Sequence, residues 1–172
     1  ADDGSVNIKG YASTNDTDRA GDVIDKEAWE KGGLDNFSNN PIILFNHDYN
    51  RPIGRATGLE TDDRGLKLTA NISKSAGDVT NLVKEGILRA FSVGFRVRNA
   101  DYIEETDGLK ISDAELFEVS VVSVPANQAA TFSVAKSFDT QSEYDEWKKQ
   151  FVKITEAKQP QDADESLSSR KE

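Results

Sequence analysis

Alternating hydrophobic and polar positions predict about seven β-strands within the first 136 residues. The alternation is cleanest at 90–98, where four large hydrophobic residues share one face. The run 116–124 has the strongest β propensity and ends at Pro125. Further strands are predicted at 5–12, 42–47, 54–60, 66–72 and 131–134, and helices at 26–36 and 78–88.

Two turns are predicted between the central strands. Pro52 and Gly54 bracket the first, which follows a strand that reaches His47. The polar residues 62–65 form the second and join two short strands into a hairpin.

About seven strands with two or three helices, in irregular alternation, predict an α+β fold. We expect a mixed, mostly antiparallel β-barrel with flanking helices.

The composition changes after residue 137. Tyr144, Trp147, Phe151 and Ile154 recur at helical spacing and predict a narrow apolar stripe. This stripe packs on its own domain or forms a dimer or scaffold contact. The predicted organisation is therefore a loose terminus at 1–4, a folded domain at 5–137, an amphipathic helix at 138–157 and a disordered acidic tail at 158–172.

Charge and composition narrow the possible functions. Acidic residues outnumber basic residues by 31 to 21, and the net charge of −10 argues against a nucleic-acid partner. No apolar run approaches the roughly 18 residues of a membrane helix. Without cysteine, disulfides, thiolate nucleophiles and cysteine metal sites are excluded. No metal site or cofactor is predicted. The chain also lacks methionine, even at its first position, which predicts a fragment, a processed product or an engineered chain.

The chain has one histidine, His47, between a hydrophobic run and a polar stretch. It is either a structural or surface histidine, hydrogen-bonded to its neighbours, or a general base. An imidazole with its ordinary pKa of about 6.5 takes and returns a proton near neutral pH.

Ser92 lies on the strand face opposite the large hydrophobic residues of its strand. It is either an exposed strand serine or a nucleophile. Gly94 on the same face favours the second interpretation, because a glycine weakens a strand unless a ligand or another backbone approaches closely.

Glu118 places a charge in the middle of a run that otherwise has the pattern of a core strand. A buried carboxylate needs a partner, because burying an unpaired charge is costly. Three arginines are structural candidates: Arg55, Arg96 and Arg98. The alternative partner is His47, whose tautomer Glu118 would fix as the third member of a serine-hydrolase triad. The order His–Ser–Glu differs from those of chymotrypsin, subtilisin and the α/β-hydrolases.

Three groups of segments stand in a specific order. They are Gly-Tyr-Ala-Ser at 10–13 with Asp18 and Gly-Asp-Val-Ile at 21–24; Phe-Asn-His-Asp at 45–48 with Pro-Ile-Gly-Arg at 52–55 and Gly-Leu at 65–66; and Phe-Ser-Val-Gly-Phe at 91–95 with Leu-Phe-Glu-Val-Ser-Val-Val at 116–122 and Pro-Ala-Asn at 125–127. Together they resemble the prohead (capsid maturation) proteases of HK97-type tailed bacteriophages, which are related in fold to herpesvirus assemblins. The resemblance spans about residues 5–136.

The resemblance implies that 5–137 is an assemblin-like serine endopeptidase domain. His47 matches the histidine of the family and Ser92 its nucleophile. Assemblins use a second histidine as the third member, and this chain has none. Glu118 lies at the position that looks equivalent, and Glu115 and Asp113 compete for the role. Assemblins also carry an arginine in the loop that forms the oxyanion hole. The segment 124–128 has no arginine here, so Ala126 and Asn127 are the candidate donors, followed by Gln128.

The family's activity implies the partners. We expect cleavage of the scaffold or N-terminal delta segment of the major capsid protein, and of the chain itself, inside the procapsid in the host cytoplasm. The oligomeric state is not predicted. The alternative class is a non-catalytic β-barrel module that binds capsid or scaffold protein, in which Ser92, His47 and Glu118 would lie apart. A third class, a metal- or carboxylate-based hydrolase, would lose activity with a chelator.

Overall fold

A computed structural model describes residues 3–134. Within them the strands are β1 (Val6–Thr14), β2 (Val23–Ile24), β3 (Ile42–Phe45), β4 (Asp48–Thr61), β5 (Gly65–Ile72), β6 (Ala90–Ile103), β7 (Gly108–Val122) and β8 (Phe132–Val134). The helices are α1 (Asp35–Asn39) and α2 (Asp78–Lys84), with 3-10 turns at Lys26–Trp29 and Lys74–Ala76. The predicted helix 138–157 and tail 158–172 lie outside the described residues.

One sheet contains all of these strands, in the order β2-β7-β3-β4-β5-β1-β8, with β6 on the other edge of β7. The pairs β2–β7 and β3–β7 are parallel and the other pairs are antiparallel. The predicted mixed, sheet-rich α+β class is therefore confirmed. The predicted closed barrel is not confirmed, because within residues 3–134 only an isolated bridge between Ala90 and Thr131 links the two ends of the sheet.

The strand pattern was predicted well where the alternation is regular. The hairpin β4–β5 turns at 62–64, as expected. The helix predicted at 26–36 is instead a 3-10 turn followed by the short α1. In the core, Trp29 packs edge-on against Phe95 with ring centroids 5.9 Å apart, and Phe91 packs against Phe132 at 4.7 Å.

Two predictions near the histidine are wrong. The strand β3 ends at Phe45 rather than at His47, and the predicted turn around Pro52 and Gly54 lies inside β4. A large bulge explains both differences. Leu44 pairs with Pro52, whereas the next residue, Phe45, pairs with Asp48. β4 therefore begins directly after a two-residue turn, and its residues 49–51 form the bulge.

No helix among residues 3–134 has the length and apolar character that crossing a membrane requires.

Candidate active site

The single histidine lies at the tip of the β3–β4 hairpin. Asn46 and His47 form the turn, with φ of 50° and 60°. Positive φ at both central residues is the requirement of a type I′ turn, and asparagine accepts it readily. Two hydrogen bonds of Asn46 fasten the turn to the end of β7. Its N–H donates to the carbonyl of Val121 at 2.9 Å, and its Oδ1 accepts from the N–H of Ser123 at 3.2 Å.

The β6–β7 register places four residues on one face of the sheet. Ser92 pairs with Ser120, and Gly94 pairs with Glu118. Cross-strand partners share a face, and so do residues two apart along a strand. The predicted nucleophile and the predicted carboxylate therefore point to the same side, where the histidine turn lies.

His47 and Glu118 are in direct contact. The imidazole Nδ1 is hydrogen-bonded to Oε1 of Glu118. The side chain of Glu118 is 8% exposed and that of His47 20% exposed, so the pair is shielded from water on the carboxylate side. When a carboxylate accepts from Nδ1–H, the neutral imidazole carries its lone pair on Nε2. The arrangement leaves Nε2 as the proton acceptor.

Ser120 is a site residue that the sequence reasoning missed. It is fully buried, its Oγ donates to Oε2 of Glu118 at 2.7 Å, and the same Oγ accepts from the backbone N–H of His47 at 3.0 Å. Ser120 therefore fixes both members of the pair. The signal available in the sequence was its position two residues after Glu118, on the same strand face.

Gly94 was expected to admit a ligand or another backbone. The structure shows that it admits the Glu118 side chain instead. A Cβ on Gly94 would lie 2.7 Å from Oε1 and 3.0 Å from Cγ of Glu118. Any larger residue would push the carboxylate away from His47.

The competing carboxylates serve a separate ion cluster. Nη2 of Arg98 lies 2.7 Å from Oε2 of Glu115, and Nη1 lies 3.9 Å from Oδ1 of Asp113. The Arg98 side chain is only 3% exposed. Burial raises the pKa of Asp35, and the positive charge of Arg98 opposes this rise. Arg98 thus forms ion pairs with Glu115 and Asp113, whereas Glu118 is hydrogen-bonded to His47.

Ser92 is buried, with 5% of its surface exposed, and it lines a small pocket. Thr14, Ala126 and Asn127 line the same pocket. Among the described residues, no hydrogen bond joins Ser92 to His47. Such bonds often tighten only in the complex with substrate. Ser92 lies opposite Ser120, the residue that holds both His47 and Glu118.

The oxyanion candidates belong to an ordered segment. The amide nitrogen of Asn127 donates to Oγ1 of Thr14 at 2.9 Å and to its carbonyl at 3.3 Å, so this side chain is already engaged. Arg19 holds two carbonyls, because its N–H donates to Ala126 O at 3.1 Å and its Nε to Pro125 O at 2.9 Å. In a trans peptide the N–H points opposite to the C=O. The backbone N–H groups of Ala126 and Asn127 therefore point away from Arg19.

The other functional classes find less support in the geometry. The non-catalytic alternative predicted that the three side chains lie apart, whereas His47 and Glu118 touch and Ser92 shares their face. In the part of the chain from 3 to 134, no three carboxylate, histidine or cysteine side chains cluster as a metal site would require.

Comparison with known proteins identifies relatives. The chain is 46% identical to the prohead protease of Escherichia phage T5, over 89% of this chain and 73% of the relative. It is 32% identical to the prohead protease of Enterobacteria phage HK97, over 90% of this chain and 73% of the relative.

Solved structures show the same fold. The varicella-zoster virus protease matches with a TM-score of 0.55 and 10% identity, over 91% of this chain and 82% of the other. The KSHV protease in complex with a hexapeptide phosphonate inhibitor matches with a TM-score of 0.51 and 10% identity, over 91% and 81%. The predicted likeness to herpesvirus proteases is thus confirmed for the fold.

A family profile completes the assignment. The profile described as "Caudovirus prohead serine protease" matches residues 1–145, which is most of the chain. Together with the phage relatives, this match confirms the resemblance predicted from the sequence. The chain belongs to the caudovirus prohead serine protease family, and it is a protease.

Proposed function

We propose that this protease cuts peptide bonds with Ser92 as nucleophile, His47 as general base and Glu118 as the orienting carboxylate. The observation that carries the proposal is the His47–Glu118 hydrogen bond on the strand face that also bears Ser92. A carboxylate on Nδ1 fixes the tautomer and stabilises the imidazolium that forms when Nε2 takes a proton.

The reaction follows from these roles. Ser92 Oγ attacks the carbonyl carbon of the substrate peptide while His47 Nε2 takes its proton. The C–N bond then breaks, and His47 returns the proton to the leaving amine. Water, deprotonated by the same nitrogen, then attacks the acyl carbon. The bond from that carbon to Ser92 Oγ breaks, and His47 returns the proton to Oγ. The backbone N–H groups of Ala126 and Asn127 stabilise the oxyanion. Hydrogen bonds from Arg19 to the carbonyls of Pro125 and Ala126 fix the orientation of these N–H groups.

The proposed substrates are capsid-related. We propose that the protease cleaves the scaffold or delta segment of the major capsid protein, and itself, inside the procapsid while this lies in the host cytoplasm. One relative supports the link to the capsid protein. The capsid polyprotein of Pseudomonas phage PAJU2 is 28% identical over 80% of this chain, and the match covers 21% of that polyprotein.

Covalent labelling tests the proposed nucleophile directly. A fluorophosphonate probe reacts with serines activated by a neighbouring base. We expect one adduct per wild-type chain, on Ser92, as mapped by mass spectrometry of the intact chain and its peptides. Ser133→Ala is the matched control, because it removes an exposed strand serine outside the pocket that Ser92 lines, and it is expected to label normally. An adduct on another serine, with Ser92 unmodified in the folded wild type, would contradict the proposal.

The third member is tested by comparing two glutamates of β7. We expect Glu118→Gln to lower the self-cleavage rate roughly 10³- to 10⁴-fold, since an amide no longer stabilises the imidazolium. Glu115→Gln is the control. It is expected to retain activity but to unfold at lower denaturant concentration, because it leaves the buried Arg98 poorly paired.

Proton NMR provides a second measurement for this pair. With one histidine in the chain, a low-field Nδ1–H resonance has only one possible source. We expect it in the wild type and in Glu115→Gln, and we expect it to shift or disappear in Glu118→Gln. If Glu115→Gln or Asp113→Asn is the inactive variant instead, the assignment of Glu118 is wrong.

A further inference from the structure

A second pocket lies next to the proposed active site and carries two arginines. It is open to solvent, and we call it the basic pocket. Arg19 and Arg89 line it, with Ala90 and Val122 on the sheet face and the exposed side chain of Ile87 beside them.

The register of β6 and β7 places the basic pocket beside the nucleophile. Ala90 pairs with Val122, which is the next pair on the same strand face after Ser92 and Ser120. Two residues of a strand span about 7 Å. An extended peptide also advances about 7 Å in two residues. A substrate side chain in the basic pocket would therefore belong to a residue about two positions from the scissile bond.

The segment 125–128 separates the two pockets. Pro125 and Gln128 line the basic pocket, whereas Ala126 and Asn127 line the pocket of Ser92. A peptide whose carbonyl reaches the backbone of Ala126 and Asn127 would therefore pass directly along the edge of the basic pocket.

The charge of the basic pocket is unusual in this chain. The net charge is −10, yet no acidic residue is among the described residues that line the pocket. Within 3–134, neither Arg19 nor Arg89 forms an ion pair, although other arginines of this part do so. The Nε of Arg19 donates to the carbonyl of Pro125, and this bond orients the guanidinium. Within the same residues the Nη groups of Arg19 form no hydrogen bond. Both side chains are exposed.

From these observations we infer that the basic pocket binds a glutamate or aspartate side chain of the peptide substrate, about two residues from the scissile bond. The inference rests on the proposed function and adds a substrate preference to it. Guanidinium groups present paired donors that match a carboxylate, and charge-assisted hydrogen bonds are the stronger class. A glutamine of the same shape lacks the charge, and a lysine is repelled.

Cleavage-site profiling tests this preference. The wild type, Arg89→Glu and Arg55→Glu are each incubated with a library of proteome-derived peptides, and the new ends are mapped by mass spectrometry. Arg55→Glu is the matched control, because Arg55 is also exposed and lies outside the pocket. We expect wild type and Arg55→Glu to favour acidic residues within three positions of the cut, and Arg89→Glu to lose this preference or favour lysine and arginine.

Matched peptides give the size of the effect. In a peptide cut by the wild type, exchanging the acidic residue for its amide is expected to lower kcat/KM at least about tenfold, the change that roughly 1.4 kcal/mol produces. The same exchange is expected to have little effect in Arg89→Glu. Cleavage that depends on Ser92 but shows no acidic preference would overturn the pocket assignment and leave the proposed function standing.

A binding measurement tests the pocket assignment independently of the proposed catalytic function. The Ser92→Ala chain is titrated with a fluorescein-labelled peptide, Ala-Ala-Glu-Ala-Glu-Ala-Ala, and with its glutamine counterpart. We expect the glutamate peptide to bind at least about tenfold more tightly at low salt, and Arg89→Glu in the Ser92→Ala background to remove the difference. If wild type cuts nothing but this difference is found, the proposed function fails and the pocket assignment stands. Equal binding of the two peptides contradicts the pocket assignment.

Discussion

Replacing Ser92 by alanine is expected to abolish peptide-bond cleavage and leave the fold intact. The substitution removes one hydroxyl from a strand position that is held by its backbone pairing with Ser120. Without the nucleophile no acyl-enzyme forms, and the rate is expected to fall roughly 10⁵- to 10⁶-fold, the loss seen when a serine protease is stripped of its nucleophile. Time-resolved mass spectrometry of the purified chain measures self-cleavage directly. The same method measures cleavage of capsid protein added to the chain.

Two controls make the Ser92→Ala result specific. Ser133→Ala removes an exposed strand hydroxyl outside both pockets and is expected to cleave at the wild-type rate. Added wild-type protein is expected to cut the Ser92→Ala chain in trans, which shows that the cleavage site is still present and accessible. The free energy of unfolding should match that of the wild type within about 1 kcal/mol, as for most substitutions without a packing role. Undiminished cleavage by folded Ser92→Ala would exclude Ser92 as nucleophile.

The sequence predicted the strand faces well because alternation is a local property. Ser92 and Gly94 alternate against large hydrophobic residues, and Glu118 interrupts a core strand. These patterns identified residues that do lie on one face of β6–β7. The pattern did not give the pairing register. Bulges after Gly94 and Val97 set that register farther along the hairpin, and they place Arg98 close to Glu115. The sequence pattern alone therefore did not show that Glu118 contacts His47 while Glu115 contacts Arg98.

The turn that carries His47 could not be predicted from its sequence. Residues 42–47 alternate as a strand would, and a histidine with positive φ is locally unfavourable. Tertiary hydrogen bonds from Asn46 to β7 offset that preference. Ser120 was missed for a related reason. A serine within a β-rich run is unremarkable until the hairpin turn arrives beside it and provides an N–H for its hydroxyl to accept.

Replacing His47 by asparagine is expected to lower the cleavage rate about as far as Ser92→Ala does. Asparagine suits the left-handed backbone at φ 60° and keeps the N–H that donates to Ser120, so the hairpin turn should persist. It has no nitrogen that accepts a proton near neutral pH, and Ser92 is then not activated. The self-cleavage rate, followed by mass spectrometry, measures the loss.

The double variant and a second substitution separate chemistry from strain. Because nucleophile and base act as one unit, His47→Asn together with Ser92→Ala should be no slower than Ser92→Ala alone. His47→Ala should be equally inactive but less stable than His47→Asn by about 1 kcal/mol, since the left-handed conformation costs alanine more free energy than asparagine. Substantial cleavage by folded His47→Asn would exclude His47 as the base. In that case no other imidazole is available in the chain, and the proton would have to pass to a carboxylate.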